Sequence, residues 1–133
     1  MRLASVRLIV RDIKSMTKFY EDLTGQSADW LAPVFSELVT STASLAIGDV
    51  KTVSLFKEGS AEPCANRTAI LEFQVADVDT EYARLKDQYE VVHEPKMMPW
   101  GNKTVQFRDP EGNLVSLYTP VTDDAKKRFS KRG

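Results

Sequence analysis

The sequence predicts an α+β fold made of two βαβββ modules whose strands form a curved mixed sheet around a cavity. Two observations support this prediction: a strand-then-helix pattern near the N-terminus, and the repetition of that pattern in the second half. A repeat of this kind indicates two copies of one supersecondary unit. Each copy has one helix, which covers only one face of its sheet, so the other face is available to a ligand or a partner.

The first copy opens with an apolar residue at every second position from Val6 to Val10, the period of a strand with one buried face. Asp12 follows as a helix N-cap, because its carboxylate can accept the free N–H groups of the first helical turn. Gly25 is placed to end that helix. The remaining strands of this copy are predicted in three short runs: Phe35 to Ser41, Ala43 to Ile47, and Thr52 to Phe56.

The second copy repeats the order, with alternation from Leu71 to Val75 and Asp77 as the N-cap. Superposing the two capping residues aligns Arg7 with Glu72. The later strands are predicted at Glu90 to Pro95, Lys103 to Arg108, and Leu114 to Tyr118. One domain, residues 1–120, therefore contains modules 3–56 and 68–120, and residues 121–133 form a charged tail.

The bulk composition restricts the class of partner. A net charge of -1 gives no electrostatic basis for binding nucleic acid or an anionic membrane. No apolar run approaches the length of a membrane span, and no signal peptide is recognisable. The single cysteine, Cys64, fits a reducing compartment. We therefore expect a cytoplasmic protein that binds neither nucleic acid nor membrane.

Several segments resemble the vicinal oxygen chelate superfamily, which includes glyoxalase I, bleomycin-resistance proteins and extradiol dioxygenases. The resemblance covers roughly residues 3–120. The segments that carry it are Arg11-Asp12 with Phe19-Tyr20 before Leu23-Thr24-Gly25, and Pro99-Trp100-Gly101 followed by Asp109-Pro110-Glu111-Gly112-Asn113. It implies paired βαβββ modules, a ligand cavity and, commonly, a homodimer.

Metal-using members of that superfamily bind a divalent ion through His, Glu or Gln at set positions on the strands. The resemblance assigns those positions to four residues here: Ser5, Ser54, Ile70 and Ser116. An isoleucine has no donor atom, and a serine hydroxyl is a weak, neutral ligand. The only histidine, His93, falls on a strand that supplies no ligand in the family. We therefore expect no metal and no other cofactor.

Strand alternation places further side chains on the same face as those positions. Arg7 and Glu72 are the ionisable ones, and two interpretations stay open. Either Arg7 binds an anionic or carbonyl group and Glu72 an amine or hydroxyl, or the two residues pair with each other. Trp100 could stack on a flat ligand, or it could cap the core or a dimer seam. The predicted ligand-binding set is Ser5, Arg7, Trp30, Glu72, Trp100, Ser116 and Tyr118, with no catalytic residue assigned.

These residues predict a metal-independent small-molecule binding protein of the bleomycin-resistance type, assembled as a homodimer. The alternative is a metal-dependent lyase or dioxygenase of the same superfamily, with Glu72 and His93 as ligands. A third possibility is a dimeric accessory domain whose cavity is filled by its own side chains.

Overall fold

The structure is a computed structural model that describes residues 1–130. It forms two compact units, each containing one βαβββ module. The first unit comprises Met1–Asn66 with Pro110–Gly112, and the second comprises Arg67–Asp109 with the chain from Asn113 onwards. The described strands form two four-stranded mixed sheets, one for each module. The predicted α+β class and the two βαβββ modules are confirmed.

The first module has the sheet order β1-β4-β3-β2, with β1 parallel to β4 and the other pairs antiparallel. Helix α1 packs on β3 and β4 and buries one face of the sheet. Leu8 and Val10 lie on this buried face, as the alternation predicted. Its elements are β1 (Ser5–Val10), α1 (Ile13–Thr24), β2 (Asp29–Ala32), β3 (Phe35–Val39) and β4 (Ser44–Asp49).

The second module has the equivalent order β5-β8-β7-β6, with β5 parallel to β8. Helix α2 packs on β6, β7 and β8. The core of this module contains the buried residues Val105, Phe107, Val115 and Leu117. The elements are β5 (Ile70–Gln74), α2 (Val78–Leu85), β6 (Glu90–Met97), β7 (Asn102–Arg108), β8 (Leu114–Pro120) and α3 (Asp123–Ser130).

Both predicted N-caps are present. Asp12 Oδ1 accepts a hydrogen bond from Ser15 N at 3.2 Å, and Asp77 Oδ1 accepts one from Asp79 N at 3.0 Å. Gly25 ends α1 in the left-handed region with φ 70°. These short polar side chains satisfy N–H groups that a helix cannot satisfy itself, which explains why they mark where the helices begin.

One strand prediction in the first module was wrong, and one strand of that module was not predicted. Residues Val50–Leu55 form a 3₁₀ helix, although Thr52 to Phe56 was predicted as a strand. Asp49 caps this helix, since its carboxylate accepts a hydrogen bond from Lys51 N at 2.9 Å. The fourth strand of the module is instead β2, around Trp30, for which no strand was predicted. Its four residues pair only with β3 and give too short a pattern to recognise.

The C-terminal segment contains α3, which packs on β8, and Ala125 on this helix is buried. The last part of the predicted charged tail, residues 131–133, lies outside the described residues. No helix among residues 1–130 is long and apolar enough to cross a membrane.

Candidate functional site

Each module has one sheet face that α1 or α2 does not cover, and the predicted site residues are best located by the strand register. In the first module, Ser36 on β3 lies on the helix-bearing face, because its hydroxyl is 2.8 Å from that of Thr17 on α1. Ser36 pairs with Ile47, which pairs with Leu8, so these residues share that face. Arg7 alternates with Leu8 and therefore projects from the opposite face, which we call the open face of the first module.

Arg7 stacks against two aromatic rings on this open face. Its guanidinium carbon is 4.5 Å from the centre of the Phe35 ring and 5.5 Å from that of Phe56. Such contacts are favourable because the ring faces carry negative potential.

Gly48 makes this arrangement possible. A Cβ atom at Gly48 would lie 3.1 Å from Thr52 Oγ1, 3.4 Å from Ile9 Cδ1 and 3.8 Å from Arg7 Cδ. The glycine therefore leaves room for the 3₁₀ helix and for the Arg7 side chain on the open face. Arg7 thus reaches Phe35, which pairs with Gly48 across the sheet.

The open face of the second module carries a polar row that runs across its four strands. Glu72 pairs with Ser116, Ser116 with Gln106, and Gln106 with His93. Directly paired residues project from the same face. Gln106 Nε2 donates a hydrogen bond to Ser116 Oγ at 2.9 Å, and the Ser116 side chain is buried. The row combines a carboxylate, a hydroxyl, an amide and an imidazole.

The structure brings most of the predicted ligand-binding residues onto these two faces. Ser5 shares the open face of the first module with Arg7, and Tyr118 shares that of the second module, where it pairs with Gln74. Trp30 does not join Arg7: it pairs with Ser36, on the side of the sheet that α1 covers. Trp100 lies in the turn between β6 and β7 and is 58% exposed.

Sequence reasoning missed Gln106, Phe35 and Phe56 as members of these faces. Gln106 alternates with buried Val105 and Phe107 on β7, which is a signal in the sequence, but its neighbours across the sheet follow only from the register. Phe56 was assigned to a strand that does not form. Its contact with Arg7 depends on the 3₁₀ helix.

A cleft of about 450 Å³ also lies in the second module, beside β5, β8 and α3. Lys126 and Ser130 line one side of it and Gln74 and Thr119 lie on the other. None of the predicted ligand-binding residues lines this cleft.

The matching family model is that of the glyoxalase/bleomycin resistance protein/dioxygenase superfamily, over residues 2–117. The chain belongs to this superfamily. A Bacillus subtilis (strain 168) relative, the uncharacterized protein YraH, is 29% identical over 127 residues, covering 89% of this chain and 98% of the relative.

Solved structures agree on the fold. A glyoxalase/bleomycin resistance protein/dioxygenase family enzyme from Burkholderia phytofirmans PsJN has a TM-score of 0.79 at 19% identity, covering 91% of this chain and all (100%) of that one. A glyoxalase-related enzyme from Fulvimarina pelagi has a TM-score of 0.76 at 18% identity, covering 93% of this chain and 94% of that one. At such identities the likeness concerns the fold alone.

The residues at the metal-binding positions of the family do not fit a metal ion. Ser54 was assigned to the last strand of the first module, but it lies on the 3₁₀ helix, where its hydroxyl donates to Lys51 O. The register instead makes Ala46 the counterpart of Ser116, since Ala46 pairs with Arg7 as Ser116 pairs with Glu72. An alanine supplies no donor atom. Among residues 1–130, no three or more His, Cys, Asp or Glu side chains are grouped so that they could hold a metal ion.

Proposed function

We propose that this chain is a metal-independent small-molecule binding protein of the bleomycin-resistance type, which binds its ligand on the open faces of its sheets. The observation that carries the proposal is the environment of Ser116. Where the family places a carboxylate ligand, this chain has a buried hydroxyl that already accepts a hydrogen bond from Gln106. A neutral hydroxyl in that arrangement is a poor ligand for a divalent cation.

The composition of the open faces supports ligand binding. Arg7 offers hydrogen-bond donors that suit an anionic or carbonyl group, while Ser5 adds a hydroxyl on the same face. Glu72, Ser116 and Tyr118 offer complementary polar groups on the second module. We propose these five residues as ligand contacts on their respective modules, with Trp100, in the turn between β6 and β7, as a candidate stacking residue.

The alternative enzyme with Glu72 and His93 as metal ligands has weak support from the geometry. The two residues stand at opposite ends of the polar row, three strand spacings apart, which corresponds to roughly 14 Å between their backbones. A metal ion bound by both residues would have to lie about 2 Å from a ligand atom of each side chain. The distance between the two strands does not favour that arrangement.

Metal analysis combined with a thermal-shift ligand screen tests the proposal. We expect purified protein to carry no stoichiometric transition metal and its melting temperature to be unchanged by a chelator. At least one drug-like or metabolite compound should raise the melting temperature, and Arg7→Gln or Glu72→Gln should reduce that rise. One tightly bound metal per chain, lost in the Glu72→Gln variant, would instead establish the enzyme.

We also propose that the protein is a cytoplasmic homodimer. Its one cysteine, Cys64, is exposed and has no second cysteine in the sequence with which to form a disulfide, which suits a reducing environment. Exposed apolar side chains on the first unit include Leu31, Leu55 and Phe56. Such side chains are commonly covered by a partner subunit.

A further inference from the structure

One cross-strand row on the open face of the first module carries opposite charges at its two ends. Arg7 on β1 pairs with Ala46 on β4. Ala46 in turn pairs with Glu37 on β3, and Glu37 pairs with Asp29 on β2. Directly paired residues project from one face, so these four form a single line across the sheet. Along this line, the side chain on β1 is cationic, the one on β4 is small, and those on β3 and β2 are anionic.

The charged groups of this row are not neutralised by one another. Within residues 1–130, none of the side chains of Arg7, Glu37 and Asp29 makes an ion pair or a hydrogen bond. The guanidinium carbon instead lies 4.5 Å and 5.5 Å from the centres of the Phe35 and Phe56 rings. The guanidinium N–H groups are therefore available to a bidentate acceptor such as a carboxylate.

The row is accessible at both ends. Arg7 and Asp29 are exposed and Glu37 is half-buried. Ala46 and Gly48, between the charged ends, are buried, and Thr52 and Arg7 lie over Gly48, so only the charged side chains offer contacts to a ligand. A ligand that bridges these side chains would meet guanidinium N–H donors at one end and two carboxylates at the other.

We propose that the ligand of this face is a zwitterionic small molecule, with an acid group bound by Arg7 and an amine bound by Glu37 and Asp29. This inference rests on the proposed small-molecule binding function and specifies its ligand class. Because the Arg7 guanidinium reaches over Gly48 towards β3, the two ligand charges would lie between one and two strand spacings apart, about 5–10 Å.

Charge repulsion gives this row its selectivity. A simple anion would gain from Arg7 but be repelled by the two carboxylates, and a simple cation would experience the reverse. A molecule with both charges at the right separation gains at each end. An α-amino acid such as glycine is too short to reach both ends.

The test uses ω-aminohexanoate as the probe, with hexanoate and hexylamine as singly charged analogues and glycine as the short zwitterion. Binding to the full chain would be measured by titrating the backbone amide signals of Glu37 and Ala46 in NMR spectra. We expect ω-aminohexanoate to bind roughly five-fold more tightly than any of the three comparison compounds, as one additional partly exposed ion pair permits.

Three variants test whether binding depends on the charged residues of this row or on surface charge in general. Glu37→Gln, which leaves the Arg7 stack intact, should remove the preference over hexanoate, and Arg7→Gln should remove the preference over hexylamine. Lys14→Gln, an exposed charge change on α1, should leave all affinities unchanged. Retained amide signals outside the open face would show that each variant is folded.

Equal binding of all four compounds, no signal change with any of them, or a preference that survives Glu37→Gln would overturn the zwitterion inference. Those results would leave the proposed function standing if the ligand screen still gave Arg7-dependent compounds. A bound metal, or a screen with no binding compound, would reject the proposed function itself.

Discussion

At the scale of single residues, the buried hydroxyl pair of Thr17 and Ser36 joins α1 to the sheet of the first module. Their oxygens are 2.8 Å apart and both side chains are buried. A buried polar group that loses its partner costs far more than the net gain from the hydrogen bond itself. Moving α1 away from the sheet would leave both hydroxyls unsatisfied. The pair therefore favours this one packing position of the helix.

We predict that Thr17→Val and Ser36→Ala each lower the free energy of unfolding by about 1–3 kcal/mol, because each leaves one hydroxyl unsatisfied. The double variant removes both polar groups and should cost less than the sum of the single changes. Urea unfolding of the four proteins measures this coupling. Strictly additive losses would show that the two hydroxyls are independent.

The carboxylate of Glu111 is another residue with a defined structural role. It accepts hydrogen bonds from Arg11 N and Asp12 N, the closest at 2.7 Å, just before α1 begins. The side chain therefore ties the Pro110–Gly112 segment, which belongs to the first unit, to the start of the first helix. Its role in this turn is structural, which accounts for one of the most recognisable sequence segments without involving a ligand.

At the scale of elements, the chain after β8 packs closely on the turn that contains Gly101. The Gly101 carbonyl accepts hydrogen bonds from Val121 N and Thr122 N. A Cβ atom at Gly101 would lie 2.1 Å from Thr122 Oγ1, and its φ of 97° also disfavours a side chain. Gly112 has a similar φ of 86° but open space around it.

These two glycines form a matched pair. Gly112→Ala should cost about 1–2 kcal/mol from backbone strain alone. Gly101→Ala should cost a further 1–3 kcal/mol, roughly, because the added methyl group displaces the segment leading into α3. Chemical denaturation of both variants checks the difference. Equal losses would mean that the C-terminal segment moves aside without cost.

The N-terminus of α2 has a pH-sensitive cap. The pKa of Asp77 is lowered from 3.8 because the Thr80 hydroxyl and the Asp79 N–H donate hydrogen bonds to its carboxylate, with a smaller effect of Lys103. A group with a lowered pKa in the folded state stabilises the protein above its unfolded pKa. That contribution is lost as the pH falls through the folded value.

Asp77→Asn isolates this effect, since asparagine also caps helices but does not titrate. We predict that the stability advantage of the wild type over this variant is larger near pH 6 than near pH 3, roughly the limits of the carboxylate titration. Urea midpoints of both proteins at the two pH values provide the measurement. A pH-independent difference would mean that the carboxylate charge does not contribute to the cap.

At the scale of the whole molecule, we predict a homodimer with two-fold symmetry. The first unit exposes Leu55 by 79% and Phe56 by 73%, and within residues 1–130 β1 has a strand partner only on its β4 side. Unpaired strand edges and exposed apolar side chains favour association with a second copy. Sedimentation at micromolar concentration measures the mass directly, and a monomer there would reject the dimer.

Local sequence signals were enough to predict the duplicated fold and the starts of α1 and α2. Asp12, Gly25 and Asp77 act through hydrogen bonds or backbone conformation within a few residues, so their roles can be recognised along the chain. The alternation around Leu8 also assigned the correct sheet face to Arg7, because a strand has a period of two in any context.

Only the tertiary structure decided which side chains meet on each face. The row from Arg7 to Asp29 and the row from Glu72 to His93 each depend on strand pairings across the whole sheet. The 3₁₀ helix that brings Phe56 onto Arg7 replaced a predicted strand, and Ala46 replaced Ser54 as the counterpart of Ser116. A pattern along the chain determines which way a side chain points, whereas its neighbours on the next strand are set by the register, which folding alone establishes.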